Sequence, residues 1–414
     1  MKRQEFIKNV QYYKFCMYGF LKNLRFFEPF LILFFLEKGM SFTQIGTLYA
    51  VREIATNLLE IPTGFLSDGL GRRRTMMASF IFYITSFLVF YSCHSIWLFV
   101  VAMVLYAIGE AFRTGTHKAM IFDYLKNQGW TEQKVYYYGH TRSWSQLGSA
   151  VSSLLAAAIV VLSGNYQMVF LMATLPYFLD LLLIASYPAS LDGPINKLEK
   201  GMILHRFKQL FISFWATFKN ASTLRIANSL SMHSGYFKAV KDYLQPIVQT
   251  LALSMPFFLF YEEKKRSAIV IGIVYFLIYL LTSSASRNAG SIASLFKNLH
   301  SPINLTIAIG FIAGVASGLT YQLGWTRVAI GFFILIYVVE NLRKPMGVGH
   351  FADKVNDHIL AVALSAQSQM GTLWGALLAV SLGALADWLG LGMGLMIVSL
   401  FLLIISFLLR LRKT

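Results

Sequence analysis

Charged side chains recur inside stretches of the sequence that are otherwise apolar. Two groups follow helical steps of three or four residues, namely Lys22, Arg25 and Glu28 in one stretch and Glu110, Arg113 and His117 in another. An ionisable group at the centre of a bilayer costs roughly 2.5–3.5 kcal/mol by insertion scales, so such groups usually face a partner or a water-filled cavity. Guanidinium and ammonium groups in a cavity bind carboxylates and phosphates by charge-assisted hydrogen bonds. These residue types therefore favour anion binding.

Carboxyl groups in the same stretches favour a second kind of chemistry, the transfer of protons. Glu28, Glu60 and Glu110 are candidate proton carriers, because a buried carboxyl can alternate between its neutral form and a charged one as a solute binds and leaves. His117 is a candidate because imidazole titrates near neutral pH. Asp180 is a less favoured candidate of the same kind.

Each of these residues also has a structural interpretation, which the sequence leaves open. Lys22 at a helix end can extend its ammonium group to the membrane surface. Glu110 and Arg113 can neutralise each other on their own helix. His117 can serve as a polar packing residue.

Enzymatic chemistry has no support in the sequence. It contains no Gly-rich Lys-Ser/Thr nucleotide loop and no His-Glu-x-x-His zinc motif. The two cysteines, Cys16 and Cys93, lie in apolar stretches, so neither a disulfide framework nor a metal site is expected. The net charge of +17 is spread over short loops rather than gathered in one domain. We therefore expect no catalytic residue, cofactor or metal, and no nucleic-acid partner.

The elements that must position the charged residues are long apolar helices. Of the 414 residues, 56% are hydrophobic and 13% charged, against about 45–50% and about 25% in soluble domains. A run of about 20 apolar residues spans a bilayer core. Twelve such runs are predicted, at residues 15–36, 44–66, 75–93, 97–122, 142–163, 167–187, 224–243, 268–286, 303–321, 325–342, 359–386 and 389–409. Within the ninth run, Gly310, Gly314 and Gly318 recur at four-residue spacing, which predicts close helix contacts.

The distribution of Lys and Arg predicts the topology. With twelve spans, most of the basic residues fall in loops on one side, which marks that side and both termini as cytoplasmic. Residues 245–263 are interpreted as an extension of the seventh helix and an outer loop. The polar stretch 188–223 is a linker between two six-helix bundles, 1–187 and 224–414. The predicted fold is thus an all-α integral membrane protein.

Residues 64–74 form the most specific motif of the sequence. They read Gly64, Phe65, Leu66, Ser67, Asp68, Gly69, Leu70, Gly71, Arg72, Arg73 and Arg74. This stretch resembles the cytoplasmic loop motif of the major facilitator superfamily at six positions: Gly64, Leu66, Asp68, Gly71, Arg72 and Arg73. Ser67 and Gly69 depart from the usual Ala and Arg. The resemblance implies a conformational latch in which Asp68 docks on the start of the eleventh helix and Arg72 pairs with Asp123 at the end of the fourth.

The resemblance also implies where the substrate binds. In this superfamily the first, fourth, seventh and tenth helices line a central cavity, so Arg25, Arg113 and Lys241 are expected to grip a carboxylate or phosphate. Lys22 and His117 are further candidates, and Tyr106 and Trp144 are candidate aromatic walls. The function implied is a secondary transporter of a small anionic or zwitterionic organic solute, coupled to protons, acting as a monomer in the inner membrane. A proton antiporter that exports drugs or amphipathic metabolites is the alternative.

Overall fold

The described part of the chain is helical. The computed structural model describes residues 7–130, 133–193, 221–256, 259–352 and 360–411, and these contain no strand. The helices are α1 (Val10–Lys22), α2 (Leu31–Glu37), α3 (Phe42–Leu70), α4 (Arg72–Ser92), α5 (Ile96–Arg113), α6 (Thr116–Asn127), α7 (Lys134–Ser163), α8 (Met168–Ala185), α9 (Ala221–Val240), α10 (Leu244–Ser254), α11 (Glu263–Ala293), α12 (His300–Gln322), α13 (Thr326–Ala352), α14 (Leu360–Leu389) and α15 (Leu391–Leu408).

Many of these helices are suited to a bilayer. Among the described residues, eight helical segments are long and apolar enough to span one, including α4, the segment Ile96–Asn127, α11 and α15. Large apolar side chains on their surfaces are exposed, as lipid contact requires, for example Leu162 and Leu408. The all-helical prediction is thus confirmed, while the count of twelve spans stays a prediction.

Two predicted helix faces are interrupted, which corrects the sequence interpretation. Helix α1 ends at Lys22, so Arg25 and Glu28 lie in a break before α2 rather than on one helix face with Lys22. The Asn23 amide donates a hydrogen bond to the Gly19 carbonyl at 2.7 Å. The hydroxyl of Tyr177 donates one to the Lys22 carbonyl at 3.1 Å. These side chains satisfy carbonyl groups that the end of the helix leaves open, so the break is tolerated in an apolar setting.

The second interruption separates His117 from Glu110 and Arg113. Helix α5 ends at Arg113, Gly115 adopts a φ of +80°, and α6 begins at Thr116. A positive φ is readily adopted by glycine because it has no Cβ. The prediction that His117 shares a helix face with Glu110 and Arg113 is therefore wrong.

The chain divides into two compact units. The first unit comprises Met1–Pro29 and Ala55–Ile203, and the second comprises Phe30–Ile54 and Leu204–Thr414. In the first, α4 packs on α5 and α8, and α1 packs on α7. In the second, α12 packs on α13 and α15, and α9 packs on α14 in the same pattern. The pairing of helices thus repeats from one unit to the other.

The predicted domain boundaries remain a prediction. Most of the predicted linker 188–223 lies outside the described residues, which end at 193 and resume at 221. After α9, a short 3-10 turn, Lys241–Tyr243, leads into α10, so the helical path continues to Ser254.

Residues 64–74 are almost entirely helical rather than a loop. Helix α3 extends through Gly64 to Leu70, and Arg72 begins α4. The single residue between them is Gly71, whose φ is +89°. Of the glycines in this motif, only Gly71 adopts a positive φ, a conformation that is costly for residues with a side chain. The expected loop is thus a one-residue junction between two helices.

The segment Phe30–Ile54 belongs to the second unit because α14 holds the start of α3. The carboxylate of Asp387 accepts hydrogen bonds from the backbone N–H groups of Phe42 and Thr43, both at 2.8 Å, and from the Thr43 hydroxyl at 2.6 Å. A Cβ on Gly46 would lie 2.2 Å from the Ala379 carbonyl oxygen, so the two helices approach closely there. Asp387 thereby caps the N-terminus of α3.

Candidate functional site

A cavity of about 370 Å³ lies within the first unit and is lined by residues from α1, α6, α7 and the end of α5. Four cationic side chains line it: Lys22, Arg113, Lys118 and Arg142. Among the described residues, no Asp or Glu is part of the lining. The wall of this cavity is therefore positively charged, with neutral polar groups such as Thr141 between the charges.

Lys22 is the most enclosed of the four cations. The residue is 7% exposed, and its ammonium group makes no hydrogen bond or salt bridge with the described residues. Two like charges, Arg113 and Arg25, act on it, as do the carboxylates of Glu110 and Glu28. A buried cation without a close partner is costly in an apolar interior. An anion in the cavity would compensate this charge.

Arg113 is held by a hydrogen-bonded network of Glu110 and Tyr83. It forms an ion pair with Glu110 one turn earlier on α5, and its Nε donates to the Tyr83 hydroxyl at 3.2 Å. The same Tyr83 hydroxyl donates to the Glu110 carboxylate. The structure therefore brings Glu110 and Arg113 together as a pair. Arg113 nevertheless lines the cavity.

His117 forms part of the aromatic wall of the cavity. Its ring stacks on Tyr18, with centroids 3.5 Å apart and planes 17° apart. Its Nε2 lies 3.4 Å from the Tyr187 hydroxyl, and the residue is 9% exposed. His117 therefore lines the same cavity as Arg113, although it lies on α6 and Arg113 is the last residue of α5.

Sequence reasoning did not assign Lys118 and Arg142 to the site. Lys118 lies at the cavity and directs its ammonium group to the rings of Phe122 and Tyr138, 5.4 and 5.6 Å from their centroids. Arg142 is exposed at the cavity on α7. Cavity residues were predicted from the helices that line the cavity in the superfamily, which include the first and fourth but not the fifth. Arg142 on the fifth span was therefore not assigned to the site. The signal available was the polar character of residues 140–146 at the start of an apolar run.

The remaining predicted groups of the first unit lie beside the cavity or outside its lining. Arg25 has a buried Nε without a hydrogen-bond partner among the described residues, and it interacts electrostatically with Tyr106 and Glu28. The ring of Tyr106 packs on Phe27 with centroids 5.9 Å apart. Trp144 is half-buried on α7 and precedes the lining residue Ser145.

Among the described residues of the first unit, Asp180 on α8 is the most deeply buried carboxyl. Its exposure is 0%, and neither carboxyl oxygen has a hydrogen-bond partner among the described residues. The charges that act on it are those of Lys22 and Arg113. The sequence ranked it below Glu28, Glu60 and Glu110 because burial and partners cannot be read from an apolar run.

Other predicted residues lie in the second unit or near its boundary. The ammonium group of Lys241 lies 3.6 Å from the Asp242 carboxylate. That Lys241 binds the same anion as Arg25 and Arg113 stays a prediction. Glu60 is half-buried on α3, and its carbonyl accepts a hydrogen bond from the Thr63 hydroxyl at 3.2 Å. Its proton-carrying role also stays a prediction.

The second unit contains a buried ionic network that sequence reasoning did not assemble. Glu340 accepts hydrogen bonds from His233 at 2.8 Å, from Ser234 at 2.9 Å and from Arg343 at 2.7 Å. Arg343 also donates to Ser234 at 2.7 Å. Because each charge has a partner, we interpret this network as structural.

The residues of the latch motif are brought together in part. Arg72, the first residue of α4, forms an ion pair with Asp123 on α6. Asp68 and Gly64 lie on the last turns of α3, and the Asp68 side chain is outside the described part of the structure. The neighbouring Arg73 donates its backbone N–H to Asp192 at 2.8 Å. Asp192, which the sequence did not single out, therefore caps the N-terminus of α4 beside Gly71.

Comparison with known proteins decides the family. The sequence profile of the Major Facilitator Superfamily matches residues 15–377. The chain belongs to the major facilitator superfamily. Members of this superfamily are transporters, so the protein is a multi-pass membrane transporter and not an enzyme.

A curated relative within the superfamily comes from Bacillus subtilis (strain 168). It is described as the uncharacterized MFS-type transporter YxaM and is 32% identical over 90 residues, which cover 22% of this chain. The match spans 23% of that transporter's length, less than a quarter. The match supports the assignment to the superfamily and gives no information about the substrate.

Solved structures of superfamily-like transporters share the fold over almost the whole chain. The nucleoside transporter NupG has a TM-score of 0.76 at 14% identity, covering 98% of this chain and 100% of that one. A POT family transporter in complex with a thioalcohol-conjugated peptide has a TM-score of 0.74 at 13% identity, covering 96% and 95%. The peptide transporter POT in complex with sulfate has a TM-score of 0.69 at 13% identity, covering 97% and 96%. At these identities the likeness concerns the fold alone.

Proposed function

We propose that this protein is a secondary transporter that moves a small anionic or zwitterionic organic solute by alternating access, coupled to protons. The observation that carries the proposal is the cavity of the first unit, whose described lining has four cations and no carboxylate. Lys22 supports it most directly, because its ammonium group is enclosed and lacks a hydrogen-bonded or ion-paired partner among the described residues.

The size and lining of the cavity fit a small solute. Its volume of about 370 Å³ is near the lower end of the range for ligand pockets, roughly 300–1,000 Å³. Asn23, Ser145 and Gln146 add hydrogen-bonding groups, and Tyr18 and His117 add aromatic surface. The solutes named for the structural neighbours, nucleosides and peptides, are likewise small and polar, and sulfate is bound in one of them. These solutes guide the choice of probes.

The positive charge of the cavity wall also affects the alternative function, the export of drugs or amphipathic metabolites. A drug exporter commonly accepts amphipathic cations, which four like charges in the wall would repel. An exporter of amphipathic anions remains compatible with the cavity, and the aromatic rings around Tyr106 would suit it. Matched probes that differ only in charge separate these possibilities.

For the membrane arrangement we propose twelve spans in an inner membrane, both termini in the cytoplasm and a monomeric carrier. Counting α1 with α2, α5 with α6, and α9 with α10 as single broken spans reduces the helices to twelve. Three exposed tryptophans, Trp97, Trp325 and Trp388, lie at helix ends that this topology places on the outer side. Tryptophan is enriched at membrane interfaces. Reporter fusions after residue 414 would refute the topology if they located the C-terminus outside.

The functional test uses matched pairs of probes on the purified protein. Thermal stability is measured with glycerol 3-phosphate against glycerol, uridine monophosphate against uridine, glutamate against glutamine, and with sulfate. A ligand that binds the folded state raises the melting temperature. We expect at least one anion to stabilise the wild type more than its neutral counterpart, and Lys22→Gln to abolish this difference.

The control for this test is Lys297→Gln, which removes an exposed lysine that is not part of the cavity lining. It should keep the response of the wild type to every probe. If no anion stabilises the wild type, or if Lys22→Gln responds as the wild type does, the anion-binding function is wrong.

A further inference from the structure

Asp180 and Lys22 are two buried, oppositely charged groups that the structure leaves apart. Asp180 is fully buried and has no hydrogen-bond partner among the described residues, while Lys22 is 7% exposed at the cavity wall. They interact electrostatically, but no salt bridge within 4.0 Å joins them in the described part of the chain. Each therefore lacks the close partner that a buried charge normally has.

The backbone of α1 at Lys22 lies against the part of α8 that contains Asp180. The hydroxyl of Tyr177, three residues before Asp180 on α8, donates to the carbonyl of Lys22 at 3.1 Å. Tyr18, four residues before Lys22 on α1, also interacts electrostatically with Asp180. Lys22 and Tyr18 thus share the face of α1 that is turned to α8.

The groups that face Asp180 can be named for each neighbouring element. Helix α1 contributes Lys22 and Tyr18, the end of α5 contributes Arg113, and the segment after α8 contributes Tyr187. Helix α4 packs aromatic rings around Tyr177 on this part of α8. Among the described residues of α4 and α7, no charged group acts on Asp180. Lys22 is therefore the cation best placed to exchange partners with it.

We propose that Asp180 carries the coupled proton, and that Lys22 alternates between Asp180 and the transported anion. The proposal rests on the anion transport proposed above and names the group that couples it to protons. When the cavity is empty, the Lys22 side chain moves to Asp180 and forms an ion pair with its ionised carboxylate. When an anion binds, Lys22 turns to the anion, and Asp180 takes up a proton because it is left without a cation.

The charges and protons balance in both states. In the empty state the positive charge of Lys22 offsets the carboxylate of Asp180. In the loaded state it offsets one negative charge of the bound anion, and Asp180 is neutral. The proton comes from water on the side to which the cavity opens and forms an O–H bond on a carboxylate oxygen of Asp180. It leaves to water on the other side when the anion dissociates, so anion and proton move in the same direction.

Calorimetry counts the protons directly. Binding of sulfate, which does not buffer near neutral pH, is measured at one pH in two buffers of different ionisation enthalpy. For the wild type we expect proton uptake that approaches one per bound sulfate near neutral pH. By linkage, the affinity for sulfate should rise by up to about tenfold for each unit that the pH falls. In Asp180→Asn the uptake should disappear and the affinity should become independent of pH.

Two further variants separate Asp180 from other titrating groups. His117 also lines the cavity, so His117→Asn is predicted to keep the same number of protons per sulfate even where its affinity changes. Glu262→Gln, which alters a carboxylate that is 74% exposed, should behave as the wild type. The proton count of the wild type needs no substitution, so an absence of uptake overturns the role of Asp180 even if Asp180→Asn does not fold.

The outcomes distinguish this proposal from the proposed function. Sulfate binding without proton uptake, or uptake that persists in Asp180→Asn, overturns the role of Asp180 and leaves anion transport standing. If no anion, including sulfate, binds the wild type, the proposed function is wrong and the role of Asp180 falls with it.

Discussion

Single residues in the first unit carry more positive charge at the cavity than their neighbours neutralise. Glu110 pairs with Arg113, whereas Lys22 has no salt bridge with the described residues and Arg142 is exposed at the cavity wall. Types and rough positions of several of these residues were predictable, because a charge within an apolar run is conspicuous. The groups around them were not, because Tyr83 and Asp180 come from other helices and no spacing within α1 or α5 indicates them.

Glycines in α12 illustrate the same point. The spacing of Gly310, Gly314 and Gly318 predicts close helix contacts, and Gly318 does lie against the backbone of Gly392 on α15. Gly310, however, makes room for a side chain, since a Cβ there would lie 2.1 Å from Nε2 of His233. A glycine repeat in a sequence does not reveal whether a backbone or an imidazole occupies the space.

Gly310→Ala should therefore destabilise the second unit. The added methyl group displaces His233 from its hydrogen bond with Glu340, and overpacking of this kind costs about 1–3 kcal/mol. The measurement is the thermal unfolding midpoint of the purified protein. Gly331→Ala on α13 is the matched control, because no atom lies within 4 Å of its added Cβ. Equal midpoints for the two variants would contradict the packing described for Gly310.

Helices α3 and α4 are capped by residues from distant parts of the chain. Asp387 at the end of α14 accepts the first N–H groups of α3, and Asp192 accepts one at the start of α4. Long apolar helices were predictable from composition, but the breaks after Lys22 and Arg113 were not. The first break contains the apolar residues Leu24, Phe26 and Phe27. The carbonyl group of Lys22 that is freed there accepts a hydrogen bond from Tyr177 on α8, a tertiary contact that no local pattern encodes.

Removal of the Asp387 cap on α3 should destabilise the protein. Asp387→Ala leaves the N–H groups of Phe42 and Thr43 without their acceptor, and loss of a cap typically costs about 0.5–2 kcal/mol. Asp387→Asn retains one carbonyl oxygen and should cost less. Unfolding midpoints of both variants in one detergent test this order. A midpoint for Asp387→Ala at or above that of Asp387→Asn would show that the carboxylate does not stabilise α3.

The ion pair between α4 and α6 gives a second prediction. We propose that Arg72 and Asp123, with Gly64, Asp68 and Gly71, form the latch implied by the motif. The two paired side chains are 18% and 37% exposed, so their coupling in a double-mutant cycle of Arg72→Ala and Asp123→Ala should be only about 0.2–1 kcal/mol in stability. A latch should in addition change the distances between spin labels on the cytoplasmic face in Asp123→Asn. Unchanged distance distributions would remove the latch role.

The whole molecule consists of two compact units with one pattern of helix pairing. The pairs α4 with α5, α4 with α8 and α1 with α7 recur as α12 with α13, α12 with α15 and α9 with α14. Each unit also contains a break after its first long helix, at residues 23–27 and at Lys241–Tyr243. Two groups of helices were predictable from the polar stretch 188–223, whereas the repeat was not, because it lies in packing rather than in sequence similarity.

The two units differ in the use of their buried charges. In the second, the Glu340 carboxylate accepts hydrogen bonds from both His233 and Arg343, while in the first Lys22 and Asp180 form no ion pair among the described residues. From this difference we propose that the first unit recognises the anion, and we predict that transport depends on the sign of the solute's charge.

Uptake into proteoliposomes tests directly whether transport depends on the charge of the solute. The probes are glycerol 3-phosphate and glycerol, or the pair that gives the larger difference in thermal stability, with and without an imposed pH gradient. We expect wild-type protein and Lys297→Gln to transport the anion faster than the neutral probe, a pH gradient to accelerate this transport, and Lys22→Gln to reduce it at least tenfold. Anion uptake by Lys22→Gln at the wild-type rate, or equal uptake of charged and neutral probes by the wild type, would contradict this expectation.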